Sequence, residues 1–391
     1  MRKVRLKDIG TFYSGLSGKS KKDFSDGNAL LATYRNIFNN PVLNLDIKDT
    51  VVIGNGEKQN EVMYGDILFT GSSETPEEAG MSSVVMSEPK EKIYLNSFCF
   101  GFRLNNIIEI LPSYMGHLLR SEPVRKAISK TAFGVTRFNI NKNFLSEIEI
   151  PLPPLTIQRE IVSVLDSFTT LIDKMKQEVE LRKKQMEYYR EKLLLFDEQE
   201  SGFVKIKDLF DTKNGYTPST KNPDFWTDKG IPWVKMEDIR ENGTVLSDSA
   251  KHITMSAVKG SKLFNANSII LATSATIGVH ALVTVPHLSN QRFTNIYPKK
   301  EYENKIDMKY AYYYFFKIDR WCKEHVTLGN FAGVNMSDFY DYDFPLPPLS
   351  TQRSIVSTLD TFEQYISKLE RLITLREKQY AYYREKLLTF E

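Results

Sequence analysis

Residues with reactive side chains are plentiful in this 391-residue sequence, but few stand at spacings that make an enzyme. Gly18-Lys19-Ser20 has the ending of a nucleotide-binding loop. That loop cradles phosphates on backbone N–H groups and needs a first glycine at position 13, where this chain has Tyr. No G-x-G-x-x-G string is present to seat a dinucleotide or S-adenosylmethionine. The D-P-P-Y and N-P-P-F strings of amino-methyltransferases are also missing. Within the next thirty or so residues Pro223-Asp224 has no following acidic-x-Lys triplet of the kind a metal-dependent nuclease needs. His252, His280, His287 and His325 lack the spaced partners of a metal site, and no nucleophile elbow or calcium loop occurs. The search for an active site therefore mostly fails, and no cofactor or metal is expected in this chain.

A second kind of chemistry is better represented. Arginine and lysine suit phosphates and guanine edges, and asparagine and glutamine suit adenine edges. Loops rich in these types recur along the chain. The first half supplies Lys19, Lys21, Lys22, Ser72, Arg137, Asn139 and Asn141. The second supplies Lys221, Lys235, Thr273, Asn290, Gln291 and Arg292, and Asn335 from the stretch 330–335. Each loop alone reads as a solvated loop, whereas together they make a candidate DNA-contacting set. Net charge is only +3, from 52 Lys+Arg against 49 Asp+Glu, so histone-like binding driven by total charge is excluded.

What positions these loops is a tandem repeat. Residues 345–391 reproduce residues 151–197 at a constant offset of 194, without a gap and with more than half the positions identical. Each copy opens with P-L-P-P-L-x-x-Q-R, at 151–159 and 345–353. The prolines impose an extended lead-in, and Thr156 and Ser350 are placed to cap helices. Apolar residues then step by four and three. In the first copy the seam includes Ile161, Leu165, Phe168, Ile172, Arg182 and Tyr189, and in the second Ile355, Leu359, Phe362, Ile366, Arg376 and Tyr383. That heptad pattern predicts two long helices in a coiled coil. Roughly 40 residues at ~1.5 Å each give a rod of about 60 Å. Duplication favours an antiparallel pair within one chain, pairing with another chain being the alternative. Arg182 and Arg376 interrupt the seam at equivalent places, either as register devices or as partner contacts.

The repeat extends faintly upstream. VRLKDIG at 4–10 matches VKIKDLF at 204–210, and strand-like runs end in hydroxyl residues at 66–73 and 269–274. The expected fold class is therefore α/β (α+β). Two diverged globular domains, 1–150 and 201–344, alternate with a central long helix, 151–200, and a C-terminal one, 345–391. The helical sequences 112–130 and 307–325 belong to the globular parts. Charged residues make up 26% and hydrophobic ones 41%, ordinary values for a folded chain. The N-terminus lacks an apolar core, no apolar run is long enough for a membrane span, and the two cysteines lie far apart. A cytoplasmic protein with no membrane contact is expected.

With the two P-L-P-P-L-x-x-Q-R motifs, their helices and the strand-end strings ILFTGSS and IILATSA, the chain resembles the specificity (S) subunit of type I restriction–modification systems over essentially its whole length. Thr276-Ile277-Gly278 matches the family's T-I-G continuation, whereas the first half has Ser-Ser-Glu-Thr-Pro there. The resemblance implies two target recognition domains. Each reads half of a bipartite site in double-stranded DNA, and the helix pair acts as spacer. It also implies two modification (methyltransferase) subunits that use S-adenosylmethionine, and restriction (motor/nuclease) subunits that use ATP and Mg2+. The competing readings are a self-sufficient restriction or methylation enzyme and a coiled-coil scaffold without sequence-specific DNA binding.

Overall fold

A computed structural model describes residues 2–106, 109–197, 202–327 and 333–390. Contacts group Met1–Gln177 with Leu369–Glu391 as one unit and Glu178–Lys368 as a second. Each long helix therefore gives one part of its length to each unit.

In the first unit the VRLKDIG segment forms the strand Arg2–Arg5, the short helix Leu6–Ile9 and the start of the strand Gly10–Ser14. Arg2–Arg5 pairs antiparallel with Glu149–Leu152. The main sheet is antiparallel, in the order Gly10–Ser14, Cys99–Leu104, Ile67–Thr70, Ser82–Val84. Every residue of Ile67–Thr70 is buried, and side chains alternate between the faces of a strand. Ile67 and Phe69 join Phe102, Tyr114, Met115 and Leu118 in the core under the helices. Leu68 joins Ile37, Val85 and Leu95 on the other side. The helical stretch expected at 112–130 is two helices, Pro112–Leu119 and Glu122–Ser129, each with proline in its first turn. Pro123 has no N–H to continue the earlier helix, so a new one starts there.

The second unit repeats the plan. The strand Phe203–Lys205 pairs with Asp343–Pro345, and Ile206–Leu209 is the short helix. The sheet order is Phe210–Asn214, Phe293–Pro298, Ser268–Ala272, His280–Val283, Val245–Leu246. Ile269 and Leu271 pack with Tyr310, Tyr313 and Phe315 of the single helix Met308–Glu324. Ile270 and Ala272 pack with Val234, Val283 and Phe293.

The long helices are Leu155–Leu193 and Leu349–Leu388. They begin at Leu155 and Leu349, so Thr156 and Ser350 lie inside the first turns and are not the caps expected from their types. Pro154 and Pro348 need no hydrogen-bond acceptor, and their carbonyls accept from Gln158 N and Gln352 N. Within the first unit the helices pair antiparallel. Phe168 stacks on Tyr383 at 5.4 Å, and Lys176 pairs with Glu377 at 2.7 Å. Within the second, Tyr189 stacks on Phe362 at 5.5 Å. These stacks are the same pair at the repeat offset. Ile161, Leu165, Ile172, Ile355, Leu359 and Ile366 are all buried, as the seam requires. The Arg182 guanidinium binds Glu178 and Gln185 and lies over Tyr365, and Arg376 binds Gln379.

The motif glutamines hold each helix to its unit. Gln158 is fully buried; its Nε2 donates to Glu109 O and Pro153 O, and its Oε1 accepts from Leu111 N. Gln352, also fully buried, does the same with Lys305 O, Pro347 O and Asp307 N. Tyr114 Oη to Pro151 O and Tyr310 Oη to Pro345 O, both 3.0 Å, complete two matching clamps. No described helix is long and apolar enough to cross a membrane.

Candidate nucleic-acid interface

Both units end their buried central strand in hydroxyl residues, and the polar candidates gather there. In the first unit Ile67–Thr70 continues into Ser72–Ser73. This short strand pairs with Phe138–Ile140, which itself pairs with Ala132–Phe133 as a hairpin. Gly134 makes the turn possible: its φ is +136°, and a Cβ there would lie 2.0 Å from Arg137 O. The tip is open, with Val135 90% exposed.

Three predicted residues meet on this ribbon. Buried Ser72 accepts from Arg137 Nε at 2.9 Å, and Asn139 stands opposite Ser72 in the register. The Arg137 guanidinium lies 5.4 Å from the centre of the Phe98 ring. With Nε held, its terminal nitrogens have no partner among the described residues. Close by in the chain, Lys142 donates to Ser14 Oγ at 3.2 Å and lies 5.1 Å from the centre of the Phe100 ring. Burial holds the Lys142 pKa below the ordinary lysine value. Arg137 also lines a cavity of about 570 Å³ with Tyr34, Phe38, Ser73, Glu78 and Thr136.

Two half-buried arginines hold the backbone around that cavity. Arg120 donates to Ser82 O, Ile37 O and Phe38 O. Arg125 donates to Gly80 O, Glu77 O and Ala79 O. Burial lowers both to about 10, still far above neutrality, so among the described residues two cations are held on carbonyl oxygens.

In the second unit Thr273 follows directly on the central strand Ser268–Ala272. Its N–H donates to Arg292 O, its carbonyl accepts from Val334 N, and its hydroxyl meets Thr294 Oγ1 at 3.2 Å. Thr294 in turn donates to Asn214 Oδ1 at 2.9 Å. Asn290 N donates to Val234 O, which places the turn beside Lys235. Asn290 Oδ1 accepts from Arg292 N at 3.0 Å, and Gln291 accepts from Thr217. Thr273, Lys235, Asn290, Gln291 and Arg292 thus share one rim, with Arg292 exposed.

Other candidates stand elsewhere. Lys19 is turned inward, its ammonium on Val52 O and Glu57 at 2.6 Å each. Lys21 and Lys22 are exposed on the turn Lys21–Phe24, and Lys221 is exposed on its own loop. Asn141 and Asn335 cap the short helices Lys142–Ser146 and Met336–Tyr340. Residues 330–332 of the predicted loop 330–335 lie outside the described residues. Sequence reading passed over Tyr34, Phe38, Glu78 and Phe98 in the first unit, and Asn214, Thr217 and Thr294 in the second. No motif marks them, because helices, turns and strands far apart in the chain bring them to the rim only on folding. Among the described residues no group of three His, Cys, Asp or Glu is placed to hold a metal ion.

Comparison with known proteins adds to this geometry. A family model described as the type I restriction modification DNA specificity domain matches residues 1–181 and 198–377. The EcoprrI type I restriction enzyme specificity subunit of Escherichia coli is 44% identical over 214 residues, 52% of this chain and 53% of that protein. The EcoR124I/EcoR124II specificity subunit of Escherichia coli is 34% identical over 266 residues, 63% of this chain and 64% of that protein. The matches therefore span between half and two thirds of the length of these relatives. The crystal structure of a type I restriction-modification system S subunit from M. genitalium superposes with a TM-score of 0.56 at 14% identity, covering 100% of this chain and 96% of that one. At that identity the likeness is one of fold.

Proposed function

Because the chain belongs to the type I restriction–modification DNA specificity family, we propose that it is the non-catalytic DNA-specificity subunit of such a complex. Residues 1–150 and 201–344 act as target recognition domains, each reading one half of a bipartite site in double-stranded DNA. The helix pair sets the gap between half-sites and docks two modification subunits. Those subunits supply S-adenosylmethionine chemistry, and restriction subunits supply ATP- and Mg2+-dependent cleavage.

One observation carries this reading: what is repeated and what is not. The glutamine clamps and the aromatic stacks of the helix pair recur at equivalent positions in both units. The exposed rims differ, Ser72–Arg137–Asn139 in one and Thr273 with Asn290, Gln291 and Arg292 in the other. Repeated helices suit two copies of one partner, whereas diverged rims suit two different half-sites. A near-zero net charge also favours a subunit that grips DNA together with partners.

The test is to exchange residues 1–150 for the equivalent domain of a relative, assemble the complex with its modification subunits, and sequence the methylated DNA. One half-site is expected to change and the other to persist. A change in both halves, or methylation by the isolated chain, would overturn the reading.

A further inference from the structure

We propose that Arg137 and Glu78 act as a pair that reads one G·C base pair in the half-site recognised by the first unit. Arg137 donates to the guanine edge, and Glu78 accepts from the cytosine amino group. The inference rests on the DNA-recognition reading above and names two specificity-determining residues within it.

The cavity at the hairpin brings opposite charges to one place without joining them. Arg137, Glu74 and Glu78 line its walls, yet no ion pair links Arg137 to either carboxylate among the described residues, and Glu78 is the carboxylate that the strand holds. Each is held by a serine of the same short strand. Arg137 Nε donates to Ser72 Oγ at 2.9 Å, and Glu78 Oε2 accepts from Ser73 Oγ at 3.0 Å. Both serines are buried, at 4% and 8% exposure, so the two anchors are fixed relative to one another. The anchoring leaves the terminal nitrogens of the guanidinium and one carboxylate oxygen for an outside partner. Arg125 holds the segment that carries Glu78 through Glu77 O, Ala79 O and Gly80 O. Arg120 holds Phe38 on the aromatic wall.

A carboxylate on a DNA-binding rim repels phosphates and weakens non-specific binding. It is favourable there only where it meets a donor, and the donor DNA offers in the major groove is an exocyclic amine. Arginine is the usual partner of guanine O6 and N7, and glutamate of cytosine N4. The exposed two-stranded ribbon that carries Arg137 is an element the major groove admits. One donor fork and one acceptor anchored to a common strand therefore match the two edges of a G·C pair.

The test uses the complex assembled with its modification subunits and reads methylated motifs by single-molecule sequencing. The half-site assigned to the first unit by exchange of residues 1–150 is expected to contain a G·C pair. Glu78→Ala and Arg137→Ala are each expected to relax preference at that pair about tenfold, with the second half-site intact. Glu78→Gln keeps a side chain able to bond Ser73 and serves as the fold control, expected to shift preference at the same position only. A first half-site without a G·C pair would overturn the proposal. So would variants that methylate at the wild-type rate with an unchanged motif, or a loss spread over both half-sites. A wild-type complex with no bipartite motif would instead sink the recognition reading from which the pair follows.

Discussion

Replacing Gln158 with leucine removes the centre of the first clamp and tests whether the motif glutamine is architectural. The amide makes three hydrogen bonds, to Glu109 O at 3.0 Å, Pro153 O at 2.9 Å and Leu111 N at 2.9 Å. Gln158 itself is 0% exposed, so water cannot replace the amide. An unsatisfied buried group costs roughly 1–3 kcal/mol. Carbonyls keep a second lone pair and leucine adds apolar contact, so we expect a loss of roughly 3–5 kcal/mol for the three together. For a unit of this size, a loss of that order lowers the melting temperature by roughly 10 °C. Gln352→Leu breaks the same three bonds in the second unit, at 2.9, 2.7 and 2.7 Å, and should match it within about 1 kcal/mol. Gln158→Glu should be worse, because a carboxylate would face two carbonyl oxygens. Calorimetry and urea unfolding of the isolated chain provide the measurement. A Gln158→Leu protein as stable as wild type that no longer binds modification subunits would refute the clamp and make the glutamine a partner contact.

Four further outcomes follow from particular residues. Tyr114→Phe and Tyr310→Phe each lose one hydrogen bond to a proline carbonyl, and should each cost about 1 kcal/mol in urea unfolding. Leu165→Ala and Leu359→Ala empty fully buried seam positions, and should each cost about 2–5 kcal/mol by the same assay. Burial pushes the Cys99 and Cys322 thiols up to about 12, so neither should react with iodoacetamide at pH 8 until the chain is unfolded, as mass spectrometry would show. The hydrogen bond from Lys19, with those from Gly54 and Gln59, lowers the Glu57 carboxyl to about 2. A lowered carboxyl gives stability that is present above the usual glutamate value of 4.5 and lost as pH falls towards 2. Glu57→Gln should flatten acid unfolding in that window, and an unchanged profile would count against the pair.

The sequence by itself determined the repeat, the two long helices and the residues of their seam. Those features are periodic, and a period of three and four apolar steps has one good structural solution. It also placed the two rims approximately, because buried apolar strands that run into Thr and Ser must surface there. Tertiary structure decided which polar residues stay outside. Lys19 turned inward to Glu57, and Asn141 and Asn335 became helix caps, since a local hydrogen-bond partner competes for any loop side chain. Nothing in the P-L-P-P-L-x-x-Q-R motif marks its glutamine as buried, because its acceptors lie 47 and 49 residues away in the chain. The meeting of Arg137 with Ser72, and of both with Glu78, depends on pairing between strands 65 residues apart. Such contacts have no period and no spacing rule, so only the folded chain brings them together.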